Sequence, residues 1–301
     1  MISVEEIRGH FVRRLQLAEL EMWPFPHLLL TEVLPPEVYR EALANDPFDA
    51  EAGEPFGDPS WTSKLRFRAH YEHRFQHQLN PEERTIDKDP WSRFGDAFAD
   101  PRWLGPVLRD RFRSYFDLRF GDIDAIEGRN LDGGFWSNLH TRTFVQRHEP
   151  GYRLDAHTDI PSRIATCIFN FPRDFGDESA GTQLLKPRDP RWRCSGNSHH
   201  DIADFDVVAT VPYAPNTCFV FFKTRHTWHS VAPESVLVPG GRLGMQVQLY
   251  EPDGGAVLDL SAPDLVRNWQ FVSDPLPTRL RSYTHSGVRR LRSRLSGFRR
   301  S

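Results

Sequence analysis

The tripeptide His157-Thr158-Asp159 constrains this chain more than any other stretch of its sequence. In an extended strand, residues two positions apart point to the same face. If this run is a strand or the end of one, the imidazole of His157 and the carboxylate of Asp159 converge on one point. Two histidines and one carboxylate can bind a transition metal on one face and leave other positions open. The tripeptide therefore supplies two of the three donors, and a second histidine is expected elsewhere in the chain.

Composition indicates a globular protein in a reducing compartment. The 301 residues are 39% hydrophobic and 26% charged, and the net charge of -3 shows no bias towards nucleic acid. The cysteines Cys167, Cys194 and Cys218 form no CxxC pair, so neither a disulfide framework nor a zinc knuckle is expected. The start of the chain does not have the features of a signal peptide, and no apolar run reaches the length of about 18 residues that spans a bilayer. We predict a cytoplasmic protein with no nucleic-acid partner and no transmembrane segment.

The first 130 residues show helical patterns separated by loops. Ser3 and Glu6 fit a capping box that begins a helix ending near residue 21. Further helices are predicted at 34–44, 89–98 and 101–115, a strand at 25–33 and a loop at 45–65. We predict that residues 1–130 form a helical cover of the core that follows.

Short β-type runs separated by turn residues follow, from about residue 135 to 250. The candidate strands are 135–140, 142–148, 154–158, 164–171, 181–186, 206–210, 217–223, 227–231 and 242–250. About eight short antiparallel strands are typical of a jelly roll. We predict a single-domain α+β protein with a double-stranded β-helix (jelly-roll) core at 131–252 and N-terminal helices packed on one face. Residues 253–301 would form a C-terminal extension ending in an arginine-rich tail.

Two histidines downstream of Asp159 could provide the remaining metal ligand. His226 and His229 both follow the apolar run 219–222. We choose His229 because it lies within a β-type run, which holds a ligand rigidly, whereas His226 lies in a turn-like segment. The predicted metal ligands, which are also the predicted catalytic residues, are His157, Asp159 and His229.

The last predicted strand, 242–250, alternates between apolar and polar residues. Its apolar face consists of Leu243, Met245, Val247 and Leu249. Arg242 begins the other face, and an arginine inside a barrel requires an anion. Its planar guanidinium group is suited to binding a carboxylate through two parallel hydrogen bonds.

In these residues the chain resembles the 2-oxoglutarate/Fe(II)-dependent dioxygenase superfamily, and within it the prolyl-4-hydroxylase-like branch. The resemblance is carried by the ordered residues His157, Asp159, His229 and Arg242, with support from the segments 146–151, 168–170 and 180–184. It covers roughly residues 140–250. The order of the four residues is more specific than the HxD pattern alone.

The resemblance implies that His157, Asp159 and His229 bind Fe(II), and that Arg242 binds the far carboxylate of the co-substrate 2-oxoglutarate. It also implies a hydroxylase that uses O2, converts 2-oxoglutarate to succinate and CO2, and responds to ascorbate as an activator. A carboxylate ligand at Asp159 favours hydroxylation over halogenation, because related halogenases have a small residue there.

The second contact to 2-oxoglutarate is less defined, because this chain has His148 and Gly244 where relatives often have tyrosine and serine. Three amide side chains are candidates for it: Asn138, Gln146 and Asn170. Four basic side chains are candidates to line the pocket: Arg142, Arg153, Arg163 and Lys186. They indicate an anionic or polar substrate, either a small molecule or a side chain, and leave its identity and the oligomeric state open.

Two other functions are compatible with the same fold. A cupin-like metal enzyme without 2-oxoglutarate would leave Arg242 without a role. A non-enzymatic jelly-roll binding module, for example for a glycan, would not need convergent His, Asp and His side chains. His199 and His200 are interpreted as part of a solvated loop, because the stretch 193–203 does not have the character of a strand.

Overall fold

The described part of the chain contains seven α-helices and twelve strands. The computed structural model describes residues 2–46, 62–67, 84–86, 90–127, 134–148, 154–173, 177–192, 196, 198–231 and 242–251, with the backbone alone for 62–67, 84–86 and 177–179. The predicted C-terminal extension, 253–301, lies outside these residues, as do Arg153 and Cys194. None of the described helices has the length and hydropathy needed to cross a lipid bilayer.

The helices precede the strands that carry the site. They are α1 (Val4–Leu17), α2 (Pro36–Ala44), α3 (Trp91–Phe98), α4 (Pro101–Arg111), α5 (Arg113–Phe120), α6 (Ile123–Glu127) and α7 (Gly134–Ser137). The capping box of Ser3 and Glu6 is present at the start of α1, as predicted. The strand predicted at 135–140 is wrong over its first residues, which form α7. The carboxylate of Glu127 accepts the backbone N–H of Trp136 at 2.9 Å, and this contact stabilises the helical turn.

The strands form two sheets. They are β1 (His27–Thr31), β2 (Thr62–Phe67), β3 (Arg84–Ile86), β4 (His140–His148), β5 (Leu154–His157), β6 (Arg163–Asn170), β7 (Asp177–Pro187), β8 (His199–His200), β9 (Phe205–Tyr213), β10 (Thr217–Phe222), β11 (His229–Val231) and β12 (Arg242–Tyr250). The larger sheet has the order β1-β10-β6-β12-β4-β2-β3, and the smaller has the order β8-β5-β11-β7-β9. The predicted α+β class with a jelly-roll core is confirmed.

The N-terminal region also contributes strands. β1 pairs with β10, and β2 pairs antiparallel with β4 and parallel with β3. The loop predicted at 45–65 is therefore wrong at its end, where β2 begins at Thr62. Pairing with β4 satisfies the backbone hydrogen bonds of this strand, although its sequence gives little local signal.

The main hydrophobic core lies between the helices and the outer face of the larger sheet. Phe98 of α3 packs edge-on against Phe11 of α1 and with tilted rings against Phe169 of β6, in both pairs with ring centroids 5.0 Å apart. The apolar face of β12 joins this core through Leu243, Met245, Val247 and Leu249. Each such side chain stabilises the fold by about 1.5–3 kcal/mol when fully buried. The alternation of β12 therefore places its polar face on the opposite, inner side of the sheet.

We expect Gly181→Ala to destabilise the smaller sheet. A Cβ at Gly181 would lie 1.7 Å from the backbone oxygen of Val211, so β7 and β9 would have to separate. The expected loss of unfolding free energy is about 1–3 kcal/mol, as for overpacked cores, measured by denaturant titration. Gly9→Ala in α1 is a matched control, because its nearest contact would be 3.6 Å from the flexible Arg13 side chain. Equal stability of the two variants would contradict this account.

A buried ion pair ties α5 to the segment that follows the HxD motif. Arg119 donates to the carboxylate of Glu251 and to the backbone oxygens of Pro161 and Arg163, the latter two at 2.8 and 2.9 Å. The side chains of Arg119 and Glu251 are each 2% exposed. Removing one partner of such a pair leaves an uncompensated buried charge, which costs about 3–5 kcal/mol.

We therefore expect Glu251→Ala to lower the unfolding free energy by about 3–5 kcal/mol. Asp124→Ala is a suitable control, because it removes the carboxylate of a pair with Arg109 in which Asp124 is 70% exposed. An exposed pair contributes only about 0–1 kcal/mol. Comparable losses in the two variants would show that the Arg119–Glu251 pair is not important for stability.

Candidate metal centre and adjoining cavity

Three predicted ligands meet between neighbouring strands of the smaller sheet. His157 ends β5, Asp159 follows two residues later, and His229 begins β11 directly opposite His157. The imidazole rings have centroids 4.2 Å apart. One potential ligand atom from each of the three residues lies within 4.8 Å of the others. All three side chains are buried, so the donors converge on one small, enclosed point.

Backbone carbonyl groups orient both imidazoles. Nδ1 of His157 lies 2.9 Å from the carbonyl oxygen of Asp155, and Nδ1 of His229 lies 2.9 Å from that of Thr227. Because a carbonyl oxygen can only accept, each Nδ1 carries the proton and each Nε2 offers a lone pair. Burial lowers the pKa of both imidazoles below the ordinary value. Neutral imidazoles with a fixed tautomer are the form that a metal ion binds.

The carboxylate of Asp159 is held by two neighbours. Thr166 of β6 donates its hydroxyl to Oδ2 at 2.8 Å, and Arg163 donates Nη1 to Oδ1 at 2.5 Å. Burial by itself raises the pKa of Asp159, but the positive charge of Arg163 outweighs it and keeps the pKa below the ordinary value. The side chain is therefore an ionised and oriented carboxylate, as a metal ligand must be. The donor set fits a divalent transition metal.

A buried lysine, which the sequence did not single out, supports the segment between His157 and Asp159. Nζ of Lys223 donates to the hydroxyl of Thr158 and to the carbonyl oxygen of Thr224, both at 2.9 Å. The Lys223 side chain has no exposed surface. Its hydrogen bonds connect the end of β10 to the HxD motif, which limits the movement of the backbone between His157 and Asp159.

A cavity of about 420 Å³ opens beside the three predicted ligands and also reaches Arg242. Arg242 begins β12, lies opposite His148 of β4, and is 6% exposed. Its guanidinium carbon lies 5.1 Å from the ring centroid of Tyr213. The Tyr213 hydroxyl donates to the backbone oxygen of Leu243 at 3.0 Å and accepts its N–H at 2.9 Å. The aromatic ring is thereby fixed, and it supports the guanidinium group at the cavity wall.

The structure distinguishes between the three amide side chains that were candidates for the second contact to 2-oxoglutarate. Among the described residues that line the cavity, Gln146 is present, whereas Asn138 and Asn170 are not. Asn138 donates to the carbonyl oxygen of Gly134 at 2.7 Å, and Asn170 donates to the hydroxyl of Thr217 at 3.1 Å. Only Gln146 of the three is therefore placed to contact a molecule in the cavity.

The structure also distinguishes between the basic side chains that were predicted to line the pocket. Arg142 and Arg163 line the cavity. Lys186 lies elsewhere, with its ammonium group 5.0 Å from the ring centroid of Trp23. His226, the rival metal ligand, has an exposed side chain and borders a different depression, which Trp23 and Lys186 also line.

The interpretation of His199 and His200 as a solvated loop is wrong. These residues form β8, which pairs with β5 so that His199 lies opposite His157. The two rings stack with centroids 4.9 Å apart, and His199 lines the cavity. A two-residue strand has too little periodicity to be recognised in a sequence, because its conformation depends on pairing with a distant segment.

Comparisons with known proteins give structural matches alone. No protein-family model matches the sequence, and no curated protein matches it either. The chain is similar to a prolyl-4-hydroxylase from Pseudomonas putida, at 12% identity and a TM-score of 0.38, over 83% of this chain and 95% of that chain. It is also similar to HygX from Streptomyces hygroscopicus with nickel and 2-oxoglutarate bound, at 10% identity and a TM-score of 0.39, over 79% and 88%. A third match is SnoN, a non-heme alpha-ketoglutarate-dependent epimerase from nogalamycin biosynthesis, at 14% identity and a TM-score of 0.35, over 85% and 87%.

Proposed function

We propose that this protein is an Fe(II)- and 2-oxoglutarate-dependent oxygenase. It would hydroxylate an unactivated C–H bond of a polar small molecule or side chain and release succinate and CO2. One observation carries the proposal: the cluster of His157, Asp159 and His229 and the guanidinium group of Arg242 line the same cavity. Two histidines and a carboxylate leave coordination positions open for a co-substrate and O2.

The residues of the chain have distinct roles in this proposal. The Nε2 atoms of His157 and His229 and the carboxylate of Asp159 would hold Fe(II), which when bound supplies the activation of O2. Arg163 keeps the Asp159 carboxylate ionised and oriented. Arg242 would bind the far carboxylate of 2-oxoglutarate through its planar fork.

Other side chains would complete the reaction chamber. Gln146 is the proposed second contact to 2-oxoglutarate, because it lines the cavity and lies opposite Gly244, two residues along β12 from Arg242. Ile168 and Phe221 also line the cavity, and their apolar surfaces would exclude water from the reacting groups. The carboxylate of Asp159 fills the ligand position that a halide would need, so the proposed outcome is hydroxylation.

We further expect ascorbate to act as an activator and the protein to be cytoplasmic, with no nucleic-acid partner. Residues 1–130, 131–252 and 253–301 remain the proposed cover, core and extension of one domain. A cupin-like enzyme without 2-oxoglutarate would leave Arg242 without a role in the cavity. A binding module would not need two imidazoles with oriented Nε2 atoms beside an ionised carboxylate.

Succinate formation by the purified protein tests this function. The protein with Fe(II), ascorbate and 2-oxoglutarate in air should form succinate, and a chelator or exclusion of O2 should stop the reaction. Calorimetric titration of 2-oxoglutarate into the Mn(II)-loaded protein measures co-substrate binding without turnover. Metal binding without 2-oxoglutarate binding would favour the cupin-like alternative, and binding of neither would contradict both enzyme assignments.

A further inference from the structure

A line of hydrogen bonds runs along the cavity wall from the predicted ligand Asp159 to Gln246. Arg163, which also holds the Asp159 carboxylate, donates from Nε and Nη2 to the Tyr250 hydroxyl at 3.1 and 2.9 Å. Tyr250 donates to Oε1 of Gln248 at 2.6 Å, and Nε2 of Gln248 donates to Oε1 of Gln246, also at 2.6 Å. Arg163, Gln248 and Gln246 all line the cavity. The line therefore ends on a side chain that a bound molecule can reach.

The direction of this line is fixed by its first member. A guanidinium group can only donate hydrogen bonds, so the Tyr250 hydroxyl accepts from Arg163 and directs its own proton at Gln248. An acceptor must face that proton, so Oε1 of Gln248 lies there and Nε2 lies on the far side. Nε2 in turn requires an acceptor, which orients Oε1 of Gln246 towards it. Turning either amide over would place two donors against each other, and a buried donor without an acceptor costs free energy.

Gln246 is consequently a hydrogen-bond donor towards the cavity. Its Oε1 accepts from Gln248, and within the described part of the chain no residue accepts a hydrogen bond from its Nε2. Gln246 is half-buried, whereas Gln248 is only 2% exposed. The N–H groups of Gln246 are therefore the end of the line that a molecule in the cavity would meet, and that molecule must supply an acceptor.

Apolar side chains flank this donor. Gln246 of β12 lies opposite Phe144 of β4 on one side and opposite Ile168 of β6 on the other, and both of these residues line the cavity. Neighbouring strands are about 4.8 Å apart, so the two apolar side chains lie directly beside the amide. An ionised group placed between them would lose its hydration, which costs far more than for a neutral group. The two flanking side chains therefore favour a neutral acceptor.

The donor lies apart from the proposed anchor of 2-oxoglutarate. Arg242 is four residues before Gln246, which corresponds to about 13 Å along the strand. The Gln246 amide is bonded to Gln248 and is thus turned away from Arg242. Gln248 lies opposite Thr166, whose hydroxyl donates to the Asp159 carboxylate at 2.8 Å. Nε2 of Gln246 is therefore on the side of the predicted metal ligands, where the reacting C–H bond of a substrate would be held.

On the basis of the function proposed above, we infer that the substrate presents a neutral hydrogen-bond acceptor, a carbonyl oxygen on an apolar frame, to Nε2 of Gln246. Gln246 is thus a specificity-determining residue. Tyr250 and Gln248 are positioning residues, because they keep the amide of Gln246 from turning over and offering its oxygen instead. A ligand that has only an N–H at this point would meet another N–H, and a site that leaves its polar groups unpaired rejects such a ligand.

Three bicyclic probes of similar size test this inference: 1-indanone has a carbonyl oxygen, indole has an N–H, and indane has neither. Each probe is titrated into the full chain loaded with Mn(II) and 2-oxoglutarate, which does not turn over. Broadening of the proton resonances of the probe by Mn(II) reports binding in the cavity beside the metal. We expect wild type to bind 1-indanone about ten-fold more tightly than indole, because only the carbonyl oxygen accepts from Gln246.

Two variants change the donor and its orientation separately. Gln246→Met keeps the length of the side chain but has no donor, so the preference for 1-indanone over indole should disappear. Tyr250→Phe removes the hydroxyl that orients Gln248, so this preference should fall several-fold while the affinity for indane stays unchanged. An equal loss of affinity for all three probes in Tyr250→Phe would overturn the positioning role. Gln16→Met removes the same amide from an exposed position of α1, and this matched control should keep the preference of wild type.

Titration of 2-oxoglutarate into Mn(II)-loaded wild type and Gln246→Met separates this inference from the proposed function. If wild type does not bind 2-oxoglutarate, the proposed function fails. The probes are then compared by saturation transfer from the metal-free proteins, where loss of the 1-indanone preference in Gln246→Met would still support the donor. Weaker binding of 2-oxoglutarate by Gln246→Met would assign the amide to the co-substrate and overturn the inference. The same 1-indanone preference in wild type and Gln246→Met, or none in wild type, would also overturn it.

Discussion

His229→Ala is expected to abolish 2-oxoglutarate turnover and to weaken metal binding, whereas His226→Ala is expected to change neither. His229 has its Nε2 directed at the site because Nδ1 donates to the carbonyl oxygen of Thr227. His226, three residues earlier, has an exposed side chain outside the cluster. Loss of an outer partner of a metal ligand lowers metal affinity about 10- to 100-fold, and loss of the ligand itself should cost more.

This pair of variants is a matched test, because both remove one imidazole from the same short segment. Calorimetric titration with Mn(II) measures metal affinity, and succinate formation with Fe(II) measures turnover. His157→Ala and Asp159→Ala should also be inactive, but Asp159→Ala in addition removes the carboxylate that offsets the charge of Arg163. Full activity in His229→Ala together with inactivity in His226→Ala would reassign the third ligand.

Arg242→Ala is expected to weaken 2-oxoglutarate binding by about 2–5 kcal/mol, as for truncation of one partner in a buried charged pair. The lower limit of this loss in binding free energy, about 2 kcal/mol, corresponds to a rise of about 30-fold in KM for 2-oxoglutarate. Arg242→Lys keeps the charge but loses the planar fork, so it should raise KM for 2-oxoglutarate more than it lowers kcat. Metal affinity should change little in either variant, because Arg242 is not one of the clustered ligands.

Lys186→Ala is a control for loss of a positive charge outside the cavity. Lys186 contacts the Trp23 ring, and the depression that it borders contains neither Arg242 nor the predicted metal ligands. The KM of the Lys186→Ala variant for 2-oxoglutarate should therefore match that of wild type. If Arg242→Ala is saturated by 2-oxoglutarate as readily as wild type, Arg242 is not the anchor, and the oxygenase proposal loses its main support outside the metal cluster.

Strand periodicity made much of the site predictable from the sequence. The bounds of β12, Arg242–Tyr250, are those predicted, because apolar and polar residues alternate along it and one face is buried under helices. The same period of two predicts that His157 and Asp159 point to one side. The choice of His229 over His226 rested on its position in a β-type run, and the structure places it at the start of β11. Its role as a ligand remains a prediction.

Contacts between distant segments were decided by the tertiary structure alone. The pairing of β8 with β5 brings His199 onto His157, the end of β10 brings Lys223 to Thr158, and the turn after Asp159 brings Arg163 back to its carboxylate. Periodicity reports which face of a segment is buried, but it does not report which segment lies beside it, because that depends on how the whole chain closes into two sheets. The sequence by itself therefore determined the jelly-roll class and which side chains face inwards, and the pairing of strands determined which of those side chains share one cavity.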